Sequence, residues 1–465
     1  MRNPETAATR TAEITKYSLF YRFLRLFTDI RQGEASKALL LALNVFLILM
    51  AYYIIKPVRD ALILTAKSPE MKSYLGAAQA ITLIFVIKAF SRLASRVPRH
   101  LLITWVTLFF ISNLIIFNLL DLFHVPMGTI GIIFYIWIGI FNLMVVAQFW
   151  GFANDLYTED IGKRIFPLVA FGATLGAPLG SKINTWFIKS LGLYRVMLVP
   201  AGILAVCIIL AVLIHRSEIR RLAGKQGQAT PDLERQKKIQ EQPLQRGGGF
   251  RLVFKSHYLL LIAVVIGLYN FVNANGEYMI GRVISRIATK AVEMGTTGGL
   301  DKGQYIDRFF ADYQFLTSIL AIIIQLFLVS RIFKWVGIGG ALLFLPFIAL
   351  GGYGVIAFGA TILLLKSVKS LENGTDYSLM NTTKAALFLK TSREEKYKAK
   401  AAIDTFFVRG GDTLSALAVF LGTTYLAASV EGYAGLNVVC VVIWIVLSLL
   451  IVREYKKIKS PEQVK

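Results

Sequence analysis

About twelve apolar stretches recur along the chain, and this recurrence constrains its fold more than any other feature. A bilayer-spanning helix needs about 20 mostly apolar residues. On that template the spans fall at 37–57, 73–93, 100–120, 128–150, 165–188, 195–215, 256–276, 310–330, 335–350, 353–371, 399–420 and 432–452. Hydrophobic residues make up 55% of the 465 and charged residues only 17%, against roughly 25% charged in an average soluble protein. Water-soluble and disordered classes are thereby excluded. Cys207 and Cys440 lie inside apolar runs, which excludes a disulfide framework and a cysteine-rich metal site. The sequence predicts an all-α membrane protein.

The charged remainder is strongly basic, with 51 Lys and Arg against 28 Asp and Glu. Cations cluster in a tail at 1–36, a central loop at 216–255 and a tail at 453–465. The intervals 121–127, 351–354 and 425–433, read as short turns, carry no Lys or Arg. By the positive-inside rule both tails and the central loop face the cytoplasm. The interval 281–308, basic through Arg282, Arg286, Lys290, Lys302 and Arg308, runs against this pattern and is read as an outer loop. The first 36 residues lack the apolar core and cleavage site of a signal peptide. The first span is expected to stay as an anchor in the cell inner membrane.

The loop 216–255 is polar and carries Pro231, Pro243 and Gly247–Gly249, as a linker would. It divides the chain into a six-span bundle at 37–215 and a second at 256–452. Its basic charge lacks the interleaved aromatics of a nucleic-acid site, so no nucleic acid is expected as a partner. The halves echo one another at an offset of roughly 220 to 235 residues, as in parallel-repeat transporters. Spans one and seven both turn polar near one end, with Lys56, Arg59 and Asp60 in one and Asn270, Asn273 and Glu277 in the other. The fold class expected is a major-facilitator-like pair of pseudo-symmetric six-helix bundles.

Ionisable residues within spans are costly and mark function by default. Lys56-x-x-Arg59 lies in the outer part of span one, ahead of Asp60, and Pro57 is expected to kink the helix there. Glu277 lies at a similar depth on span seven, while Lys88, Lys366, Arg409 and Asp412 count closer to the midplane. Lys88 and Asp412 could also form a structural ion pair. The excess of cations implies an anionic substrate, since guanidinium and ammonium groups suit phosphate or carboxylate. Tyr52-Tyr53 and Tyr269/Phe271 precede the charges by about one turn, placed either to stack a flat ring or simply to pack. Gly172-x-x-x-Gly176-x-x-x-Gly180 reads as a helix-packing face. The four histidines sit near span ends without metal-ligand spacing, and no catalytic set is visible; no enzyme activity, cofactor or metal is expected.

Several motifs together resemble one family. Phe149-Trp150-Gly151-Phe152-Ala153-Asn154, then Gly162-Lys163-Arg164-Ile165-Phe166-Pro167-Leu168 and Phe171-Gly172-Ala173, are similar to the ATP/ADP antiporters of plastids and obligate intracellular bacteria. Asp60–Ala66, Asp376-Tyr377-Ser378-Leu379 with Lys384, and Lys398–Asp404 agree with the same family. The resemblance implies a twelve-helix nucleotide exchanger whose first-span cations map to Lys56 and Arg59, its seventh-span acid to Glu277 and its late lysine to Lys398 or Lys400. Ile136-Trp137-Ile138-Gly139 stands where the family carries Glu-Leu-Trp, and Asn381-Thr382 where it carries Asp-Pro.

The expectation is thus a membrane transporter, acting as a monomer, that exchanges ATP for ADP by alternating access. Lys56, Arg59, Lys400 and Arg409 would attract phosphate, Asn154 and Asn270 would hydrogen-bond substrate, and Glu277 would balance the cavity. Asp60, Lys88, Asp155, Lys366 and Asp412 are candidates for coupling or gating. Two rivals stay open: a proton-coupled transporter of another organic or phosphorylated anion, and a membrane scaffold that transports nothing.

Overall fold

The computed structural model describes residues 35–94, 97, 99–156, 159–223, 249–359, 361–392, 395 and 399–457. Among the described residues the regular structure is all helical, arranged as twelve long rods. The first half comprises α1 (Ala35–Ala66), α2 (Pro69–Ala94), α3 (Arg99–Leu122), α4 (Met127–Leu156), α5 (Glu159–Arg195) and α6 (Leu198–Ala223). A short helix, Gly249–Lys255, leads into the second half and α7 (His257–Glu293). Rod α8 (Lys302–Ile323) continues through a π-turn at Ile324–Leu328 to a kink at Gly337, whose φ of 68° requires glycine. Rod α9 occupies 338–358, and α10 runs from Ile362–Thr375 through a π-turn at Asp376–Met380 into Asn381–Leu387. Rod α11 comprises Lys400–Ala402, a π-turn at Ile403–Phe407 and Val408–Tyr425, and α12 is Val430–Lys457. Among the described residues, seven helical stretches, one of them the merged Lys302–Phe358, are long and apolar enough to cross a membrane.

Three boundaries depart from the sequence reading. The expected turn at 351–354 is helical, and the real break lies at Gly359, just before Thr361 caps α10 by accepting from Leu364 N. Glycine signals a turn in water, but Gly352 is packed so closely on Val368 that a Cβ would collide with it. The expected outer loop 281–308 is mostly helix, because α7 runs to Glu293 and leaves only 294–301 between rods. Span one likewise continues for nine residues beyond Pro57, inside a single helix, α1.

The chain ends of α6 and α7 on either side of 224–248 define a linker end, and the opposite end is the far end. Large apolar side chains such as Phe85, Trp105, Trp186, Phe347 and Val439 are exposed, as a lipid-facing surface requires. At the centre α1 is enclosed, with Leu41, Ala51, Ile54, Ile55 and Val58 fully buried. The Gly172, Gly176, Gly180 face of α5 lies directly on its backbone. A Cβ at Gly172 or Gly176 would come to 2.5 Å from the carbonyl oxygen of Ala42 or Phe46, and Gly180 sits closer still to that of Met50. The second half repeats the device: Gly411 of α11 packs on the Gly267 carbonyl of α7. This matched use of glycine supports the internal repeat.

The halves join toward the far end. Asn184 donates to Ile54 O at 2.8 Å within the first half, and across the boundary Ser285 Oγ donates to Leu64 O at 3.3 Å. Gln304 Nε2 donates to Ile188 O at 3.2 Å, Lys189 Nζ to Gly298 O at 3.0 Å, and Tyr278 OH to Glu70 Oε1 at 2.9 Å. This side-chain clasp closes one end above a polar space at the centre.

Candidate functional site: a central cavity between the halves

A cavity of about 360 Å³ lies between the two bundles. Tyr52, Lys56 and Arg59 enter it from α1, Lys72 and Gln79 from α2, Asn270, Asn273 and Glu277 from α7, and Arg409 and Asp412 from α11. Their arrangement follows from helix geometry: residues three or four apart share a face, which brings Lys56 with Arg59, Asn270 with Asn273 and Glu277, and Arg409 with Asp412 to the same wall.

Charge is distributed through one continuous network. Arg59 donates to both oxygens of Asp60, at 3.0 and 3.1 Å, with its guanidinium 4.7 Å from the Tyr135 ring centre. Lys72 stands 3.0 Å from Asp60 Oδ1 and 3.6 Å from Glu277 Oε2, joining a carboxylate of each half. Glu277 Oε1 also accepts from Tyr313 OH at 2.8 Å and from Asn373 Nδ2 at 3.1 Å. Lys56 differs from the other cations. Its ammonium donates to the neutral Gln314 Oε1 at 3.0 Å and lies 5.2 Å from the Tyr53 ring centre, with no carboxylate in ion-pairing range among the described residues.

A second pair lies behind the cavity wall. Lys369 and Glu372 are both 0% exposed and 3.0 Å apart on α10. Lys369 also donates to Asn273 Oδ1 at 2.6 Å, and Tyr353 OH donates to Glu372 Oε2 at 2.8 Å. The pair thus holds Asn273 in the wall. Lys369 and Tyr353 meet on Glu372 Oε2, while Glu372 Oε1 has no hydrogen-bond partner among the described residues.

The sequence candidates fare differently. Lys56, Arg59, Asn270, Glu277, Arg409 and Asp412 line the cavity, although Asn270 donates its amide to Ile266 O of its own helix at 2.7 Å. Asp60 sits behind them as the partner of Arg59 and Lys72. Asp412 pairs with Arg409 at 3.3 Å, and the side chains of Lys88, Asn154 and Asp155 lie outside the described residues. Lys366 is not near the midplane: α10 starts at Ile362, so it falls one turn from the far end, over the Phe309 ring at 5.4 Å. Lys400 begins α11 at the linker end, away from the cavity lining, near Asp404 and Lys384. Of the aromatics, Tyr52 lines the cavity and stacks on Phe141 at 6.3 Å, whereas Tyr269 is buried beside Trp444 and Phe271 faces an apolar groove between α7, α11 and α12. Sequence reasoning missed Lys72, Gln314, Tyr313, Asn373, Lys369 and Glu372.

Two pseudo-symmetric helical bundles around a central, charged cavity of about 360 Å³ make up a major-facilitator-like membrane transporter fold. Residues 14–131 and 130–369 match the family described as TLC ATP/ADP transporter, and the chain belongs to that family. It is 24% identical to ADP,ATP carrier protein 1 of Chlamydia muridarum (strain MoPn / Nigg) over 87% of this chain and 84% of that protein. It is 22% identical to the Plastidic ATP/ADP-transporter of Solanum tuberosum over 94% of this chain and 76% of the relative. Among solved structures it resembles the nucleoside transporter NupG, with a TM-score of 0.59 and 13% identity over 91% of this chain and 100% of that one. An inward-facing bacterial homologue of ferroportin gives a TM-score of 0.61 at 11% identity, over 91% and 100% of the two chains. These two likenesses concern the fold.

Proposed function

We propose that this protein exchanges ATP and ADP across the cell inner membrane by rocking its two halves around the central cavity. The observation that carries this reading is the placement of Lys56: a half-buried ammonium with only a neutral hydrogen-bond partner, beside a network whose other charges are already matched. Such a group is a ready counter-charge for a phosphate chain. Arg409, half-exposed at the cavity wall, and Tyr52, with its ring on that wall, supply a second cation and a flat surface for a base. The family and the names of its relatives support the same substrate class. The chain works as a monomer, with both tails and the linker cytoplasmic, and performs no chemistry on what it carries.

Proteoliposomes test the proposal. Labelled ATP or ADP should enter vesicles preloaded with nucleotide and hardly enter empty ones. Uptake into empty vesicles driven equally well by a pH gradient would favour a proton-coupled anion carrier instead. A cysteine introduced at Gly227 should react with an impermeant reagent only from the cytoplasmic side.

A further inference from the structure

Asp307 is 0% exposed on α8, where that rod packs against α1 and α5 of the other half. Its Oδ1 lies 3.5 Å from Asn184 Nδ2, and its Oδ2 has no hydrogen-bond partner. No cation comes within ion-pairing range of it among the described residues. From α1, Asp60 is already matched by Arg59 and Lys72. From α5, Lys182 lies over the Phe315 ring and Lys189 donates to Gly298 O. On α8 itself Asp301 caps the helix through Gln304 N, Arg308 is exposed, and Asp312 accepts from Thr185 Oγ1 at 3.3 Å. From α10, Lys366 lies over Phe309 and Lys369 pairs with Glu372; from α7, Glu277 takes Lys72 and Tyr313. An ionised carboxylate in that setting carries a desolvation cost that nothing around it offsets.

Asn184 shows how the cost is avoided. Its NH2 donates to Ile54 O and to Asp307, while its own Oδ1 lacks a partner. A proton on Asp307 Oδ2 converts that atom to a donor, and Asn184, whose NH2 already reaches Asp307, carries an unsatisfied acceptor in its Oδ1. One proton then satisfies two orphaned atoms, as the two-bond pairing of a carboxylic acid with a primary amide does. We infer that Asp307 is a proton-binding site, neutral while the far end is closed and ionised when it opens.

The balance is simple. When α5 and α8 part, water enters, the O–H bond on Oδ2 breaks, and the proton passes to that water. Closure takes a proton back from the same side. Asp307 does not line the central cavity, so the proton returns to the side it came from and is not carried across. Acid on the far side therefore favours the closed state. The group is a pH-sensitive latch on the gate rather than a coupling site for transport, and its behaviour does not depend on which substrate is carried.

The test needs no substrate. Spin labels at Ser190→Cys and Met294→Cys, in purified protein with Cys207 and Cys440 replaced by alanine, report the far-end separation. Acidification should shift wild type toward the short distance. Asp307→Asn, which keeps the shape without the charge, should stay short at all pH values. Asp307→Glu, which restores a titratable carboxyl, should recover the response. Infrared spectra should show a protonated-carboxyl band in the closed wild type that is lost in Asp307→Asn. The inference is overturned if Asp307→Asn keeps the wild-type pH response, or if no carboxyl band disappears. It is overturned too if sodium at fixed alkaline pH closes the far end as acid does, since the site would then bind a metal cation.

Discussion

Lys56 on α1 reaches across the boundary between the halves and donates a 3.0 Å hydrogen bond to Gln314 on α8. The contact is one cation on one neutral amide, so a phosphate can take the ammonium without breaking an ion pair. Lys56→Ala should reduce nucleotide exchange by at least about thirtyfold, the lower end of the roughly 2–5 kcal/mol expected for losing one partner of a charge contact. Lys56→Arg should be milder. Gln314→Ala should cost only about 0.5–1.5 kcal/mol, and Lys457→Ala, on an exposed turn of α12, should leave exchange unchanged. Counter-exchange rates in proteoliposomes decide. Normal transport by Lys56→Ala would put the substrate elsewhere.

Arg59 should behave differently because its fork is occupied by Asp60. Arg59→Ala should lower thermal stability as well as exchange, leaving Asp60 held by Lys72 alone. Differential scanning fluorimetry in detergent separates the two variants: an unchanged melting temperature for Arg59→Ala would contradict the network.

Lys72 is the link between carboxylates of opposite halves. Lys72→Met should loosen the far end and raise labelling of a cysteine placed at Ser285, whose hydroxyl bonds Leu64 O within the clasp. If labelling stays at the wild-type level, the bridge contributes nothing to closure.

The α1–α5 contact makes a steric prediction. Gly176→Ala or Gly180→Ala must push the two rods apart, because the added methyl group meets backbone rather than a mobile side chain. Either should destabilise the protein by about 1–3 kcal/mol, the usual range for overpacking. Gly410→Ala, with nothing within 4 Å of its Cβ, is the control and should be neutral. Melting temperatures of the three variants provide the comparison.

The buried pair on α10 calls for a double-mutant cycle. Glu372→Gln or Lys369→Met alone should cost about 3–5 kcal/mol, while the double variant should cost less than their sum. Additive losses in unfolding experiments would mean that the two charges are satisfied by other groups.

Lys56, Arg59 and Glu277 were legible because a charge inside an apolar run stands out in any sequence. Lys72 was not, since the second span was expected to begin at 73 and so left it in a turn. Lys369 and Glu372 fell at the end of a span expected at 353–371, where polar residues cause no surprise; their spacing of three on one helix was the available signal. Gln314, Tyr313 and Asn373 carry no charge, and only their meeting in space marks them. The misplaced α9–α10 boundary has one cause: Gly351, Gly352 and Gly354 look like a turn, whereas in α9 they lie within the helix and Gly352 makes room for Val368. Lys366 was displaced toward the midplane by the same error.

The three long π-turns, at Ile324–Leu328, Asp376–Met380 and Ile403–Phe407, all belong to the second half among the described residues. Each widens one turn and gives up regular α-helical bonding where its rod passes the cavity or the linker end. Rods of the first half carry no such interruption among the described residues. The two bundles thus share a helix order but not a backbone: three rods of the second, α8, α10 and α11, carry turns at which a helix can bend.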